Sequence, residues 1–124
     1  MKIGEVKIGG KSVKVIYCYA TEIAFAKSAG VGMDQFDGRN PEHVVCLLLA
    51  AMTAYGQWKG EKVGVKDVDV MFGAKPAELL EAVRVVMELQ REWYEVPAGE
   101  GEELPQNGDK DDEDGQKGGT EKNG

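Results

Sequence analysis

Asn40-Pro41-Glu42-His43-Val44-Val45-Cys46-Leu47-Leu48-Leu49-Ala50-Ala51-Met52-Thr53-Ala54-Tyr55-Gly56-Gln57-Trp58 is the stretch whose reading decides the fold. Its opening is a helix start written in side-chain chemistry. Asn40 offers an oxygen to the first unpaired N–H groups, Pro41 has the fixed φ that suits the first helical position, and Glu42 puts negative charge at the positive end of the helix dipole. From Val44 to Tyr55 the helix is apolar almost all round, and a helix without a polar face is buried on most sides. The remaining segments are therefore read as layers placed around a central helix.

Upstream, the first 19 residues alternate as strands do. Val6 and Ile8 interleave with Glu5 and Lys7, Gly9-Gly10-Lys11 turns the chain, and Val13, Val15, Tyr17 and Tyr19 share a face opposite Ser12, Lys14 and Ile16. A lone hairpin is marginal in water, so this one must pack on the helices. Thr21 is the expected N-cap of a short helix running to Ala29, stopped by Gly30-Val31-Gly32, and a short turn is expected around Asp34 to Phe36.

Downstream, Gly60 to Gly64 reads as a loop, and Lys66 to Phe72 as a short helix or turn ended by Gly73. Pro76 opens the longest helix, expected to reach about Glu95. One side carries Glu81, Arg84, Glu88, Arg91, Glu92 and Glu95, with Arg84–Glu88 and Arg91–Glu95 at i,i+4 spacing. The other carries Leu79, Leu80, Val83, Val85, Val86, Met87, Leu89, Trp93 and Tyr94. That arc is wider than the stripe of roughly 100° that a surface helix needs. Either the helix is clamped between two elements, or part of it meets another chain.

The composition separates a fold from an appendage. Ala98 to Gly124 holds nine carboxylates, three lysines and seven glycines, with only Ala98 and Leu104 apolar. The 97 residues before it carry 12 basic and 13 acidic groups, net −1, so the acidity of the 124-residue chain, net −7, belongs to the tail. The expected organisation is one α+β domain over 1–97, an N-terminal β-hairpin packed on three to four helices, and a disordered acidic, glycine-rich tail over 98–124. Without the tail there is no basic face of the kind that binds nucleic acid. The longest apolar run, Val44 to Met52, is nine residues, against the ~20 that a membrane-spanning helix requires. Cys18 and Cys46 lack framework spacing and read as free thiols of a soluble cytoplasmic protein.

The chemistry-bearing motifs dissolve on inspection. Gly9-Gly10-Lys11-Ser12 has the end of a phosphate loop, but Glu5 stands where the pattern needs glycine, and a strand follows where a helix must begin. His43 and Cys46 are two residues with metal-binding chemistry, too few for a zinc site. Lys110 to Glu121 mimics a calcium loop without an aspartate at its first position or flanking helices. Asp67 and Asp69 lack a histidine partner. No catalytic residue, metal ligand or cofactor is expected.

The layout as a whole resembles a known family. The hairpin with its Gly-Gly-Lys turn, the short helix entered through Thr21-Glu22, the Asn40-Pro41-Glu42 helix rich in Leu and Ala, the Val65-Lys66-Asp67-Val68 turn, the amphipathic helix from Pro76 and the acidic end look like the tail assembly chaperones of long-tailed bacteriophages and prophages, over residues 1–96. The resemblance implies a non-catalytic protein that coats the tape-measure protein, keeps it soluble, and helps recruit tail-tube protein. It also implies that the acidic end suits a junction for a frameshifted longer product. Val85, Leu89, Trp93 and Tyr94 are the residues expected to contact a partner or a second copy in a homo-oligomer. The second reading is a small adaptor or regulatory subunit acting through helix-mediated dimerisation.

Overall fold

A computed structural model describes residues 1–95. The boundary expected at residue 97 and the tail 98–124 lie outside the described residues. Met1–Trp93 form one compact unit, with Tyr94 and Glu95 the described residues of a second. The chain runs β1 (Gly4–Ile8), β2 (Lys11–Val15), α1 (Tyr19–Ala29), a 3₁₀ turn (Met33–Gln35), α2 (Pro41–Lys59), α3 (Asp67–Gly73) and α4 (Pro76–Tyr94). This is the α+β arrangement that the sequence implies, a two-stranded antiparallel hairpin followed by four helices.

The hairpin pairs Gly4 with Val15, Val6 with Val13 and Ile8 with Lys11. Gly9 (φ 60°) and Gly10 (φ 83°) form its two-residue loop. Both φ values are positive, the conformation that matches the right-handed twist of the strands and that side chains resist. Val6, Ile8 and Val15 are buried. The second strand is shorter than its alternation implied. It ends at Val15, and the next two residues, Ile16 and Tyr17, are both buried, which a continuing half-exposed strand does not allow. The Ile16 N–H leaves the ladder and donates to the Ala51 carbonyl of α2 at 3.3 Å.

This early exit moves the start of α1. The helix begins at Tyr19 with Cys18 as its N-cap, three residues earlier than a Thr21 cap would place it. Thr21 sits in the first turn, fully buried. Its Oγ1 accepts from the Cys18 N–H at 3.2 Å and donates to the Ile16 carbonyl at 2.9 Å, tying the strand exit to the helix.

α2 is the centre of the fold. Asn40 Oδ1 accepts from the N–H groups of Glu42 (2.9 Å) and His43 (3.4 Å), as its cap position requires. Val44, Leu47, Leu48, Ala50, Ala51, Met52, Ala54 and Gly56 are buried. The small residues of its second half let other backbone approach closely. A Cβ on Gly56 would lie 2.7 Å from the Glu61 carbonyl oxygen, so glycine is needed where the loop after α2 folds back.

The wide apolar arc of α4 is used from two sides. Its buried line is Ala82, Val86 and Leu89. One flank meets the hairpin: a Cβ on Gly4 would come within 2.9 Å of both Val85 and Leu89 side chains. The other flank, Leu79 and Val83, faces the start of α2. Clamping, the first of the two explanations, accounts for most of the arc. On the polar side Arg84 pairs with Glu81 and, at 3.5 Å, with Glu88.

Candidate functional site: an apolar groove between two helix starts

Two helix N-termini, each opened by a proline, come together across a groove of about 320 Å³. Pro41 and Val44 form the α2 side; Pro76, Leu79, Leu80 and Val83 form the α4 side; Gly38 and Arg39 lie at its mouth. Leu80 is 74% exposed. Successive helical residues are 100° apart, so Leu79 and Leu80 cannot both turn to the core, and Leu80 falls outside its buried line.

The α4 wall of the groove is fixed by Glu78. Its carboxylate accepts three backbone N–H groups: Lys75 at 3.1 Å, Gly9 at 2.9 Å and Gly10 at 2.9 Å. These bonds, Lys75 first and then the two glycines, hold the Glu78 carboxyl below its ordinary range. The glycine turn that looked like part of a phosphate loop does bind an anion, and the anion is the protein's own side chain.

The mouth is organised by Asp37. Its Oδ1 accepts from the Arg39 N–H at 2.9 Å and from Arg39 Nε at 3.3 Å. The backbone N–H and then the guanidinium lower the Asp37 carboxyl from its usual value. The Asp37 N–H in turn donates to His43 Nδ1 at 3.0 Å. Chemically the groove is an apolar slot with one cation at its lip. It can bury an apolar side chain, worth about 1.5–3 kcal/mol for a Leu- or Phe-sized group, and no acid–base pair faces it.

A second apolar surface lies on α3. Val70 packs inward, while Val68, Met71 and Phe72, at i, i+3 and i+4 spacing, are exposed, Phe72 at 88%. The short helix has room to bury only one of its faces.

The four residues expected at a partner surface differ in how far they are exposed. Leu89 is a core residue, 6% exposed, because Gly4 lets α4 lie close against the hairpin. Val85 is half-buried against the same glycine. Trp93 is half-buried, its ring 5.7 Å from Tyr17 and 4.7 Å, edge-on, from Tyr19. Tyr94 is exposed at the helix end. An open apolar surface also lies at the other end of α4, around Leu80. Periodicity carried that signal: the line Leu79, Ala82, Val86, Leu89, Trp93 repeats at three and four residues and leaves Leu80 to one side.

His43 and Cys46 are not part of any metal cluster; no group of three or more His, Cys, Asp or Glu placed to hold a metal occurs among the described residues. Cys18 and Cys46 are free thiols. No described helix is long and apolar enough to cross a membrane. The structure defines a small α+β domain with an apolar groove. Comparison of the chain with protein-family models, curated proteins and solved structures finds no match.

Proposed function

We propose that this chain is a non-catalytic tail assembly chaperone of the long-tailed bacteriophage and prophage type. It binds apolar helical segments of a tape-measure protein in the host cytoplasm and keeps that protein soluble while tail-tube protein is recruited. The observation that carries the reading is the groove between α2 and α4, open and apolar, with Leu80 exposed on its rim. A protein that shields apolar helices needs a slot for side chains of the i, i+3, i+4 kind. The order of elements over residues 1–95 is the layout on which the resemblance rests, and the exposed face of α3 offers a second apolar contact.

The test is co-expression of the full chain with the longest coiled-coil protein encoded beside it. The expected result is that the client stays soluble and co-purifies with the chain, with or without tail-tube protein, and that Leu80→Glu abolishes both while the variant remains folded. Recovery of only self-associated chains, with Leu80→Glu converting them to monomers, would replace the chaperone by an adaptor that dimerises through its helices.

A further inference from the structure

His43 is the single histidine of the chain, and the fold uses it as an acceptor. Its Nδ1 takes a hydrogen bond from the Asp37 N–H at 3.0 Å, which requires that nitrogen to carry no proton. Two aromatic rings fix its plane. Phe36 lies nearly parallel to it, with centroids 6.3 Å apart and 28° between planes; Phe25 of α1 meets it at 5.8 Å and 84°. The Asp37 carboxylate, meanwhile, is engaged by the N–H and guanidinium of Arg39. One residue thus joins the histidine through its backbone and the arginine through its side chain.

We propose that these contacts form a proton-operated latch at the mouth of the groove. When His43 takes up a proton, Nδ1 becomes a donor, the Asp37 N–H loses its acceptor, and the Asp37 carboxylate exchanges Arg39 for the imidazolium. Histidine is the side chain whose charge changes between about pH 5 and 8. Arg39 has the means to leave, since its side chain is 93% exposed and gains little from a surface ion pair.

The charged groups around the ring favour this exchange. Asp37 touches it through its backbone N–H, and a charged His43 is near enough to favour the ionised Asp37 carboxyl. α1 turns Phe25 toward it, while its Glu22 accepts from Tyr17 Oη and its Lys27 is exposed. Asp34 in the 3₁₀ turn and Glu42 in the first turn of α2 are both exposed to water. The consequence lies two residues along the chain from Asp37: Gly38 and Arg39 line the groove. Opening the latch changes that mouth while the Asn40 cap and the helices stay in place. The inference stands whatever occupies the groove.

The experiment is a ¹H–¹⁵N NMR titration of the full chain from pH 8 to pH 5. The His43 ring and the Asp37 and Arg39 amides are expected to titrate with one midpoint. The exchange protection factor of the Asp37 amide is expected to fall about fivefold, the factor that one hydrogen bond of ordinary strength represents. His43→Gln keeps an acceptor oxygen without proton uptake, and its Asp37 and Arg39 amides are expected to stay fixed over this range. Ring titration with both amides unmoved, or the same amide titration in His43→Gln, would overturn the latch. Where His43→Gln does not fold, the comparison of ring and amides in the native chain decides the matter alone.

Discussion

Glu78 reaches across the fold to bind the hairpin turn: its two carboxylate oxygens accept from the N–H groups of Gly9 and Gly10, each at 2.9 Å, over a separation of nearly 70 residues. The same carboxylate accepts from the Lys75 N–H at the start of its own helix. A single side chain therefore sets where α4 begins and where the hairpin ends. Its carboxyl is lowered from the ordinary value, so the folded state favours the charged form more than the unfolded state does. The stabilisation that follows is present above the unfolded carboxyl's range, about 4.3, and is lost as pH falls through the lower folded value. Glu78→Gln is expected to lower the thermal midpoint at pH 7, and the gap from the native chain is expected to close between pH 5 and pH 3. A gap that stays constant in acid would show that the carboxylate's charge is not what binds the turn.

Leu89 and Leu80 separate the core of α4 from its free surface. Leu89 fills space against Gly4 and the hairpin, and truncating a buried leucine leaves a cavity as well as losing its transfer free energy. Leu89→Ala is expected to destabilise the fold by about 2–5 kcal/mol. Leu80→Ala, at an exposed position, is expected to fall within about 0.5 kcal/mol of the native chain. Urea denaturation of the two variants checks both, and under the proposed chaperone function Leu80→Ala is expected to weaken client capture that Phe72→Ala, on the other apolar face, weakens separately.

How much of this was readable in the sequence follows from how local each cause is. The Asn40-Pro41-Glu42 start of α2 was legible because a cap is made by neighbouring residues, and the observed bonds from Glu42 and His43 to Asn40 follow from that chemistry alone. The Gly9-Gly10 turn was legible for the same reason. The end of β2 was not, since the alternation Val13, Val15, Tyr17, Tyr19 continues past it, and what ends the strand is the Ala51 carbonyl of a helix some 35 residues further on. The exposed position of Leu80 was not singled out by the sequence, because the apolar arc of α4 runs its whole length. Which part stays open depends on Gly4, a residue without a side chain, accepting Val85 and Leu89.

Gly56 tests the close packing behind α2. Alanine is the better helix former by about 1 kcal/mol, so a propensity argument predicts that Gly56→Ala stabilises. The structure predicts the reverse. The added Cβ would stand 2.7 Å from the Glu61 carbonyl oxygen, a backbone atom that also belongs to a residue whose N–H bonds to the Gly56 carbonyl at 2.9 Å. Forcing atoms into filled space costs roughly 1–3 kcal/mol, leaving a net loss of up to about 2 kcal/mol after the helix gain. A urea midpoint at or above that of the native chain would mean that the loop after α2 yields.

Thr21 is where the chain changes from sheet to helix, and its two bonds can be told apart from its packing. The hydroxyl is fully buried, with the Cys18 N–H on one side and the Ile16 carbonyl on the other. Thr21→Val keeps the shape and removes both bonds, leaving those backbone groups without this partner; the expected loss is about 1–3 kcal/mol. Thr21→Ser keeps the hydroxyl and removes a methyl, an expected loss of about 1 kcal/mol. Serine outperforming valine in thermal stability is the outcome that assigns Thr21 to holding the strand exit against α1. The opposite order would make the methyl the larger contribution and leave the Ile16–Ala51 bond as the principal tie at that corner.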